Sequence, residues 1–454
     1  MVNQAEPDAP DDPWSYVPLA PKTITETGIP EAFLRELLLK TVWAYDSATP
    51  GMLANGTGLH VAVVAELISG LSHEGLCEVE TKSAQGTAAQ FQYRLTDRGK
   101  NAARDALERS RYVGVAPVPI AAYNKIVEEQ IHRFQRPPLE KIRQALEHLV
   151  LPERLIEVLG QAFFSRRALM VYGPSGNGKT DLVTSISEVI IGTVVIPYAL
   201  FGHGQLIRVF DPDVHISKVD NEPEDAENKS HEADIWAGEA FRHDRRWLPI
   251  DRPNVMVGGE MGAEALDMTY DATQGVHNAP LSIVAQGGVL VIDDLGRQKV
   301  SPKEILNRWV MMMEQGFDSF ALGSSEIVRL PLDVTLVFST NLTVRELLDE
   351  AYLRRIAYKI EIPGPDRDAM LEITRRSCER TDIEWSEFAA KYFVDKVFAP
   401  GMPEPRGCYP RDIITTIIDE ADFQGRPPVF DRQSIDVACN LYFGDIETAE
   451  SDAA

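Results

Sequence analysis

Residues 168–180 join a short apolar stretch, Ala168-Leu-Met-Val-Tyr172, to the run Gly173-Pro-Ser-Gly-Asn-Gly-Lys-Thr180. The run matches the pattern G-x-x-x-x-G-K-[ST] in full, and the amphipathic stretch that follows it predicts a helix. Glycines let the backbone curl until its N–H groups point toward a phosphate group, and the helix N-terminus adds a favourable dipole. We therefore expect a phosphate-binding loop, in which Lys179 reaches the β- and γ-phosphates of a nucleotide. The residues of this predicted loop are Gly173, Pro174, Ser175, Gly176, Asn177, Gly178, Lys179 and Thr180.

A second apolar stretch, Val289-Leu-Val-Ile292, ends in the carboxylates of Asp293 and Asp294. In an open α/β sheet, ligands bind at the carboxyl ends of the strands, so these carboxylates are expected near the loop. Mg²⁺ prefers oxygen ligands, and we predict that Asp293 and the Thr180 hydroxyl hold it. Asp294 is then placed to polarise an attacking water. Such a strand end is weak evidence alone and strong evidence after a complete phosphate-binding loop.

Apolar stretches at Thr193–Leu200, Val334–Phe338 and Tyr358–Ile362 predict further strands, and helical stretches alternate with them. This alternation predicts an α/β core with a parallel sheet over residues 139–365. An acidic insertion is expected at about 203–285, where residues 211–240 hold ten Asp or Glu against two Lys. Residues 366–443 predict an all-α lid, and residues 444–454 predict an acidic tail.

The N-terminal part has a different pattern. Residues 1–28 are rich in Pro and acidic residues and predict a disordered acidic arm. Residues 29–112 predict a helix from Pro30, a second from about Leu59, a β-hairpin at 77–95 and a last helix through Arg109. This order is typical of a winged-helix domain, with another small α+β module as the alternative. Proline-rich residues 113–138 predict a linker around one helical segment.

Two further motifs complete a resemblance to the AAA+ ATPases that covers roughly residues 139–443. Val337-Phe-Ser-Thr-Asn341 resembles the sensor-1 strand of that family, which implies that Asn341 helps to place the attacking water. Gly407-Cys-Tyr-Pro-Arg411-Asp412 resembles its sensor-2 helix start, which implies that Arg411 contacts phosphate within the same subunit. Each motif is weak alone, and their order and spacing after the phosphate-binding loop carry the resemblance.

The segment Leu353-Arg354-Arg355-Ile356 resembles the arginine-finger segment of the same family. The resemblance implies that Arg355, or alternatively Arg354, reaches the nucleotide of a neighbouring subunit, and therefore that the chain forms a homo-oligomeric, hexameric ring. The stretch from 258 to 309 is also similar to a group of poorly characterised, chaperone-like bacterial AAA+ ATPases.

Two features depart from the common family pattern. Many members end this acidic strand in Asp-Glu, whereas this chain has Asp293-Asp294, so hydrolysis is expected to be slow or to be assisted by Glu260. A solvated Glu260 in a turn is the simpler alternative. Residues 266–283 predict a strand, a turn and a strand. This hairpin resembles an insert that faces the ring pore in one AAA+ branch, and a plain surface hairpin is an equal alternative.

Composition limits the function further. The formal net charge of −24 over 454 residues argues against a large nucleic-acid surface. Neither a signal peptide nor an uninterrupted apolar stretch long enough to cross a membrane is evident. The cysteines have no metal-ligand or redox-motif spacing and predict free thiols in a reducing cytoplasm. They are Cys77, Cys378, Cys408 and Cys439.

These features together predict a cytoplasmic, ATP- and Mg²⁺-dependent ring motor that remodels or assembles an unidentified protein client. The winged helix would dock protein, because residues 46–81 contain no Lys or Arg to contact a nucleic acid. One alternative is a DNA-directed ATPase, such as a transcription regulator or helicase loader. Another is a nucleotide-gated scaffold that scarcely hydrolyses ATP.

Overall fold

The computed structural model describes residues 13–80, 91–132, 136–218, 242–323, 326–343, 354–381 and 383–444. Within these residues the helices are α1 (Glu31–Tyr45), α2 (Pro50–Thr57), α3 (Val61–His73), α4 (Asp97–Arg109), α5 (Ile120–Ile131), α6 (Leu139–Leu146), α7 (Glu153–Ser165), α8 (Lys179–Ser187), α9 (Leu281–Val284), α10 (Pro302–Arg308), α11 (Val310–Gln315), α12 (Arg367–Arg380), α13 (Glu387–Val397), α14 (Tyr409–Gln424) and α15 (Arg432–Phe443). The strands are β1 (Ser47–Ala48), β2 (Cys77–Val79), β3 (Tyr93–Leu95), β4 (Val118–Pro119), β5 (Leu169–Tyr172), β6 (Thr193–Pro197), β7 (Ala199–Gly202), β8 (Gln205–Arg208), β9 (Trp247–Asp251), β10 (Asn254–Val257), β11 (Thr269–Asp271), β12 (Val276–Asn278), β13 (Val289–Ile292), β14 (Phe317–Leu322), β15 (Glu326–Pro331), β16 (Thr335–Thr340) and β17 (Tyr358–Glu361).

A five-stranded sheet in the order β10-β13-β16-β5-β17 forms the centre of the α/β core. All of its neighbouring strands pair in parallel. Every residue of β13 and of β16 is buried, as expected for strands covered on both faces. Because the strands are parallel, the residues that follow β13, β16 and β5 all leave the same edge of the sheet.

Four of the five predicted strands take their places in this sheet, whereas Thr193–Leu200 forms strands, as predicted, but outside it. That stretch divides into β6, which pairs antiparallel with β9, and β7, which belongs to a second sheet. The place beside β13 is taken by β10, where exposed and buried residues alternate as on an edge strand. Both stretches are apolar, and local composition does not decide which of them pairs with β13.

The second sheet, in the order β11-β12-β8-β7-β4, unites the predicted insertion with the predicted linker. Residues 113–138 differ from that linker expectation, because Val118, Tyr123 and Val127 are buried in the same core as the central sheet. The Gln130 side chain also bonds both backbone groups of Val195, at 3.0 and 2.7 Å. Within the insertion, residues 219–241 lie outside the described part of the chain.

The described part of the predicted acidic arm is packed rather than disordered. Residues 13–16 form a 3₁₀ turn, Val17 is buried in the core, and Trp14 and Tyr16 pack against it. Burial of these apolar side chains offsets the conformational entropy lost when the segment becomes ordered. The acidic, proline-rich composition predicts, by contrast, that this entropy cost keeps the segment disordered. Residues 1–12 of the arm, and residues 445–454 of the predicted acidic tail, lie outside the described residues.

Helices α1, α3 and α4 and the antiparallel pair β2–β3 occupy the places predicted for them in the N-terminal part, and the predicted turn at 81–90 lies outside the described residues. The sequence pattern missed α2 and the short β1, which completes a three-stranded antiparallel sheet in the order β1-β3-β2. A separate apolar core holds this unit together, and its winged-helix identity stays a prediction.

In the described residues no single helix could cross a membrane by length and composition, and only α2 with α3, bent by 116°, pass that test as a pair.

Between residues 366 and 444, the described residues form helices and no strand, and the role of this region as a lid stays a prediction. Helices α12 to α15 enclose their own apolar core around Met370, Phe393 and Ile413.

The turn of the predicted 266–283 hairpin, now β11 and β12, is covered by the N-terminal unit. The Arg111 N–H donates to Gln274 O at 2.8 Å, and the Ser110 hydroxyl donates to the same oxygen at 3.4 Å. Lys40 in turn donates to Ser110 O at 3.0 Å, and burial lowers the pKa of Lys40 to about 8. The hairpin therefore joins the N-terminal unit to the segment that leads into β13.

We expect Gly275→Ala to loosen this junction. Gly275 has φ +66°, and a Cβ there would lie 2.5 Å from Arg109 O. Gly204→Ala is the matched control, because Gly204 has φ +75° but a Cβ there would meet nothing within 4 Å. Hydrogen exchange of peptides covering 109–116 should accelerate about tenfold or more in Gly275→Ala, equal to ~1.4 kcal/mol of local opening free energy. Gly204→Ala should leave those peptides unchanged. Equal exchange in the two variants would contradict the junction.

Candidate functional site

The loop between β5 and α8 depends on glycine at three places. Gly173, Gly176 and Gly178 have φ of +142°, +84° and +75°, where side chains with a Cβ are strained. A Cβ on Gly173 would also lie 2.3 Å from Ile362 O, the residue that follows β17. The loop therefore passes tightly beside the neighbouring strand, and α8 begins directly after it with Lys179.

The Lys179 ammonium is buried at the mouth of this loop, with 5% of the residue exposed. It donates to Gly173 O and Pro174 O, each at 2.9 Å, and to Asn341 Oδ1 at 2.7 Å. Burial lowers the pKa of Lys179, while the charges of Asp294 and Asp293 act in the opposite direction. The cation is thus held by carbonyl oxygens, with both carboxylates near it.

The residues predicted from separate strands meet here. Thr180 Oγ1 donates to Asp293 Oδ2 at 2.8 Å, and Asn341 Nδ2 donates to Asp294 Oδ1 at 2.6 Å. Asn341 therefore bridges Lys179 and Asp294. Asp294 has φ +50°, in the left-handed region that Asp tolerates better than most residues, and such strain often accompanies functional sites.

The structure adds one neighbour to Asp294 and places Glu260 in a turn after β10. Arg297 Nη1 lies 3.3 Å from Asp294 Oδ2, an ion pair that the sequence analysis did not anticipate. Glu260 accepts a hydrogen bond from Gly258 N at 2.8 Å, and backbone hydrogen bonds lower its pKa. This bond closes a local turn after β10, so the structure supports the simpler alternative for Glu260.

The hydroxyl and carboxylate of Thr180 and Asp293 fit a magnesium ion. Mg²⁺ typically takes one or two protein oxygens and completes its shell with phosphate oxygens and water. The two residues already lie within hydrogen-bond distance of each other beside the loop. The described residues contain no cluster of three or more His, Cys, Asp or Glu that would form an all-protein metal cage.

A cavity of about 320 Å³ opens on the other side of the loop, between the α/β core and the C-terminal helices. Its volume lies within the range of small-molecule pockets. Arg376 Nη1 donates to Glu147 O at 2.6 Å and so fastens α12 to the turn that forms one wall. Sequence reasoning missed these walls, because apolar residues after α6 and on α12 carry no motif. The cavity is lined by His148, Leu149, Val150, Leu151, Gly176, Asn177, Gly178, Asp181, Ile373, Arg376, Ser377, Arg380, Thr381, Gly407, Cys408, Arg411 and Ile414.

Arg411 lies at this cavity, but its charge is engaged elsewhere. Its side chain is 74% exposed and pairs with Asp412 at 2.9 Å. Asp412 also accepts a hydrogen bond from the Tyr442 hydroxyl at 2.8 Å. The residue therefore lines the cavity beside the loop with its guanidinium directed to a neighbouring carboxylate, and its contact with phosphate stays a prediction.

Arg354 and Arg355 lie just before β17, apart from the cluster around Lys179. Arg355 Nε donates to Glu314 Oε1 at 2.8 Å, and its side chain is 20% exposed. Arg354 is exposed. The structure thus tethers one arginine of the pair within its own chain and leaves the other at the surface.

Comparisons with known proteins give limited similarity. A family model described as a domain of unknown function (DUF8689) matches residues 366–441, less than half of the chain. No curated protein matches the chain.

Among solved structures, the Thermotoga maritima RuvB Holliday junction branch migration motor is 14% identical over 65% of this chain and 69% of that one, with a TM-score of 0.37. Domain III of the Thermotoga maritima replication initiation protein DnaA is 14% identical over 66% and 96%, with a TM-score of 0.36. NtrX from Brucella abortus in complex with ADP is 14% identical over 74% and 65%, with a TM-score of 0.36. Scores of this size establish neither a shared fold nor a shared activity.

Proposed function

We propose that this chain is an ATP-binding and ATP-hydrolysing motor of the AAA+ type. The observation that carries the proposal is the bonded set at the edge of the central sheet, where Asn341 bridges Lys179 and Asp294 and Thr180 bonds Asp293. A lysine on a glycine loop, a hydroxyl–carboxylate pair and a second carboxylate are the groups that phosphoryl transfer to water requires. The 320 Å³ cavity beside the loop would take the nucleoside.

In this proposal the phosphates lie along Gly173–Thr180 and receive the loop N–H groups. Lys179 exchanges its bonds to Gly173 O and Pro174 O for bonds to phosphate oxygens, which neutralises charge that develops in the transition state. Thr180 and Asp293 hold Mg²⁺, which neutralises further charge on the phosphates when bound. Asp294 and Asn341 orient the attacking water, and Asp294 accepts its proton.

The aspartate at position 294 is one methylene shorter than the glutamate more common in the family. The hydrogen bond from Asn341 and the left-handed backbone at Asp294 fix the direction of its carboxylate. The carboxylate is therefore held in one orientation at the end of β13, although its side chain is shorter. We therefore propose slow but real hydrolysis, rather than a scaffold that scarcely hydrolyses ATP.

Substitutions at the two ends of the cluster should separate binding from hydrolysis. Lys179→Ala should remove nucleotide binding or hydrolysis, because the phosphate charge loses its buried partner. Asp294→Asn should keep ATP affinity and lower the rate by about 100-fold or more, since it removes the base but keeps the side-chain size. The measurement is steady-state phosphate release beside equilibrium nucleotide binding. Glu188→Gln, a charge loss at the far end of α8, is the control and should behave as wild type. Normal hydrolysis by Asp294→Asn would refute the assignment of the base.

The functional unit we propose is a homo-oligomeric, hexameric ring in which Arg355, or alternatively Arg354, contacts the nucleotide of the neighbouring subunit. The support is the position of this pair just before β17, with Arg354 exposed. For Arg355 to act, its bond to Glu314 must break when a neighbouring subunit binds.

Mixing inactive subunits tests the shared site. Lys179→Ala subunits keep both arginines, and Arg355→Ala subunits keep the nucleotide loop, so mixed rings contain some complete sites. Mixtures should recover hydrolysis that neither variant has alone, because a trans arginine contributes about 10³-fold in related phosphoryl-transfer systems. A matched experiment mixes Lys179→Ala subunits with Arg354→Ala subunits and so tests the alternative arginine in the same way. If neither pairing recovers activity at any ratio while both variants assemble, the site is not shared between subunits.

We further propose that the N-terminal unit docks a protein client and does not bind nucleic acid. The exposed face of α3 offers Glu66 and Ser69, and residues 46–81 contain no Lys or Arg. The nearby bases are engaged within the unit, since Arg94 pairs with Glu78 at 2.9 Å and Arg98 donates to Glu74 O at 3.0 Å. Within the described residues, these two bases are therefore already bonded inside the unit.

The full-length protein should therefore fail to bind mixed-sequence duplex DNA at 150 mM salt at concentrations up to roughly 10 µM. Fluorescence anisotropy across a salt series measures this directly. A variant in which Glu66 and Ser69 on α3 are replaced by lysine provides a positive comparison, since added bases should create a salt-sensitive affinity. Tight binding by the wild-type protein, weakening steeply with salt, would favour the DNA-directed alternative.

A further inference from the structure

The segment between α13 and α14 crosses the phosphate-binding loop and carries Arg406. Gly407 N donates to Asn177 Oδ1 at 2.9 Å, which ties the segment to the loop. On the other side, Pro405 O lies so close to Gly364 that a Cβ there would be 2.5 Å away. The backbone on both sides of Arg406 is therefore held in place against the α/β core.

The Arg406 side chain lies over the loop itself. A Cβ added to Gly176 would be 3.6 Å from Arg406 Cδ and 2.7 Å from Cys408 Sγ. The charge of Arg406 reaches Lys179 as well, since it adds to burial in lowering the pKa of that lysine. The fold thus brings a second cation to the place where the phosphates of a nucleotide would lie.

The Arg406 guanidinium has hydrogen-bonding capacity that the protein does not use. Its Nε is buried and has no hydrogen-bond partner among the described residues. A buried polar group without a partner is costly, and more so when it is charged. Arg411, by contrast, is largely exposed and already paired with Asp412.

We propose that Arg406, rather than Arg411, is the arginine of the C-terminal helical region that binds the polyphosphate of the nucleotide. This assignment rests on the proposed function of the same site. A phosphate group would supply acceptor oxygens for the N–H groups of the planar Arg406 guanidinium. Its negative charge would also screen the repulsion between Arg406 and Lys179. Because the backbone on both sides of Arg406 is held against Asn177 and Gly364, its guanidinium stays beside the loop, where the nucleotide phosphates would lie.

The test compares Arg406→Met with Arg411→Met in the full-length protein, using fluorescent analogues of ATP and AMP in equilibrium titrations. Arg406→Met should weaken the ATP analogue at least about tenfold, the size expected for a hydrogen bond to a charged group. Its effect on the AMP analogue should be smaller, because fewer phosphate oxygens are present. Arg411→Met should weaken the ATP analogue less than Arg406→Met does, because the Arg411 charge is already paired with Asp412. The reverse order, or unchanged ATP affinity in Arg406→Met, would overturn the assignment.

Thermal melting without nucleotide separates phosphate binding from a structural role. Removing an unpartnered cation beside Lys179 should leave the melting temperature of Arg406→Met unchanged or higher, and a clear fall would overturn the assignment. Arg406→Lys keeps the positive charge but lacks the planar guanidinium, so it should bind ATP more tightly than Arg406→Met and less tightly than wild type. Absence of nucleotide binding in the wild-type protein would overturn the proposed function and this assignment together, whereas binding that ignores Arg406 would overturn only the assignment.

Discussion

The hydrogen bond from Lys179 Nζ to Asn341 Oδ1, at 2.7 Å, joins the glycine loop to the end of the neighbouring strand. From there Asn341 Nδ2 continues to Asp294 at the end of β13. This bridge requires the strand order β13-β16-β5, because only a residue leaving the central strand can reach both neighbours. Side chains alternate along a strand, so a register shift of one residue in β16 would turn Asn341 away. The parallel register of this sheet therefore sets the chemistry at its edge.

The same sheet edge is connected to the N-terminal unit by a short path. Gln274 O in the β11–β12 turn accepts bonds from Ser110 and Arg111, and the chain then passes through β12 and α9 into β13. His215 steadies this path, since its Nε2 lies 2.8 Å from Val284 O at the end of α9. A partner that displaces the N-terminal unit would therefore act on the strand that carries Asp293 and Asp294.

The sequence predicted those parts of the site that are encoded in local motifs. The glycine loop, the acidic strand end and Asn341 could be placed together because parallel strands end at one edge. What failed was non-local: the strand at 193–200 lies outside the central sheet, and β10 replaces it through a pairing that composition does not reveal. The apolar walls of the cavity and Arg406 were missed for a related reason, since their role comes from the approach of distant segments. The prolines of residues 113–138 predict a linker, whereas Val118 and Tyr123 of this segment are buried in the core.

Hydrogen exchange with and without Mg²⁺ and ATP tests the central claim most directly, because it reports on the loop and the cavity walls at once. Nucleotide should slow exchange in peptides covering 173–180, where backbone N–H groups would bind phosphate, and in those covering 147–151, 373–381 and 404–414 around the cavity. In a single subunit, the exchange rate of peptides from α3 should be the same with and without nucleotide. Unchanged exchange in 173–180 at saturating nucleotide would contradict phosphate binding by this loop.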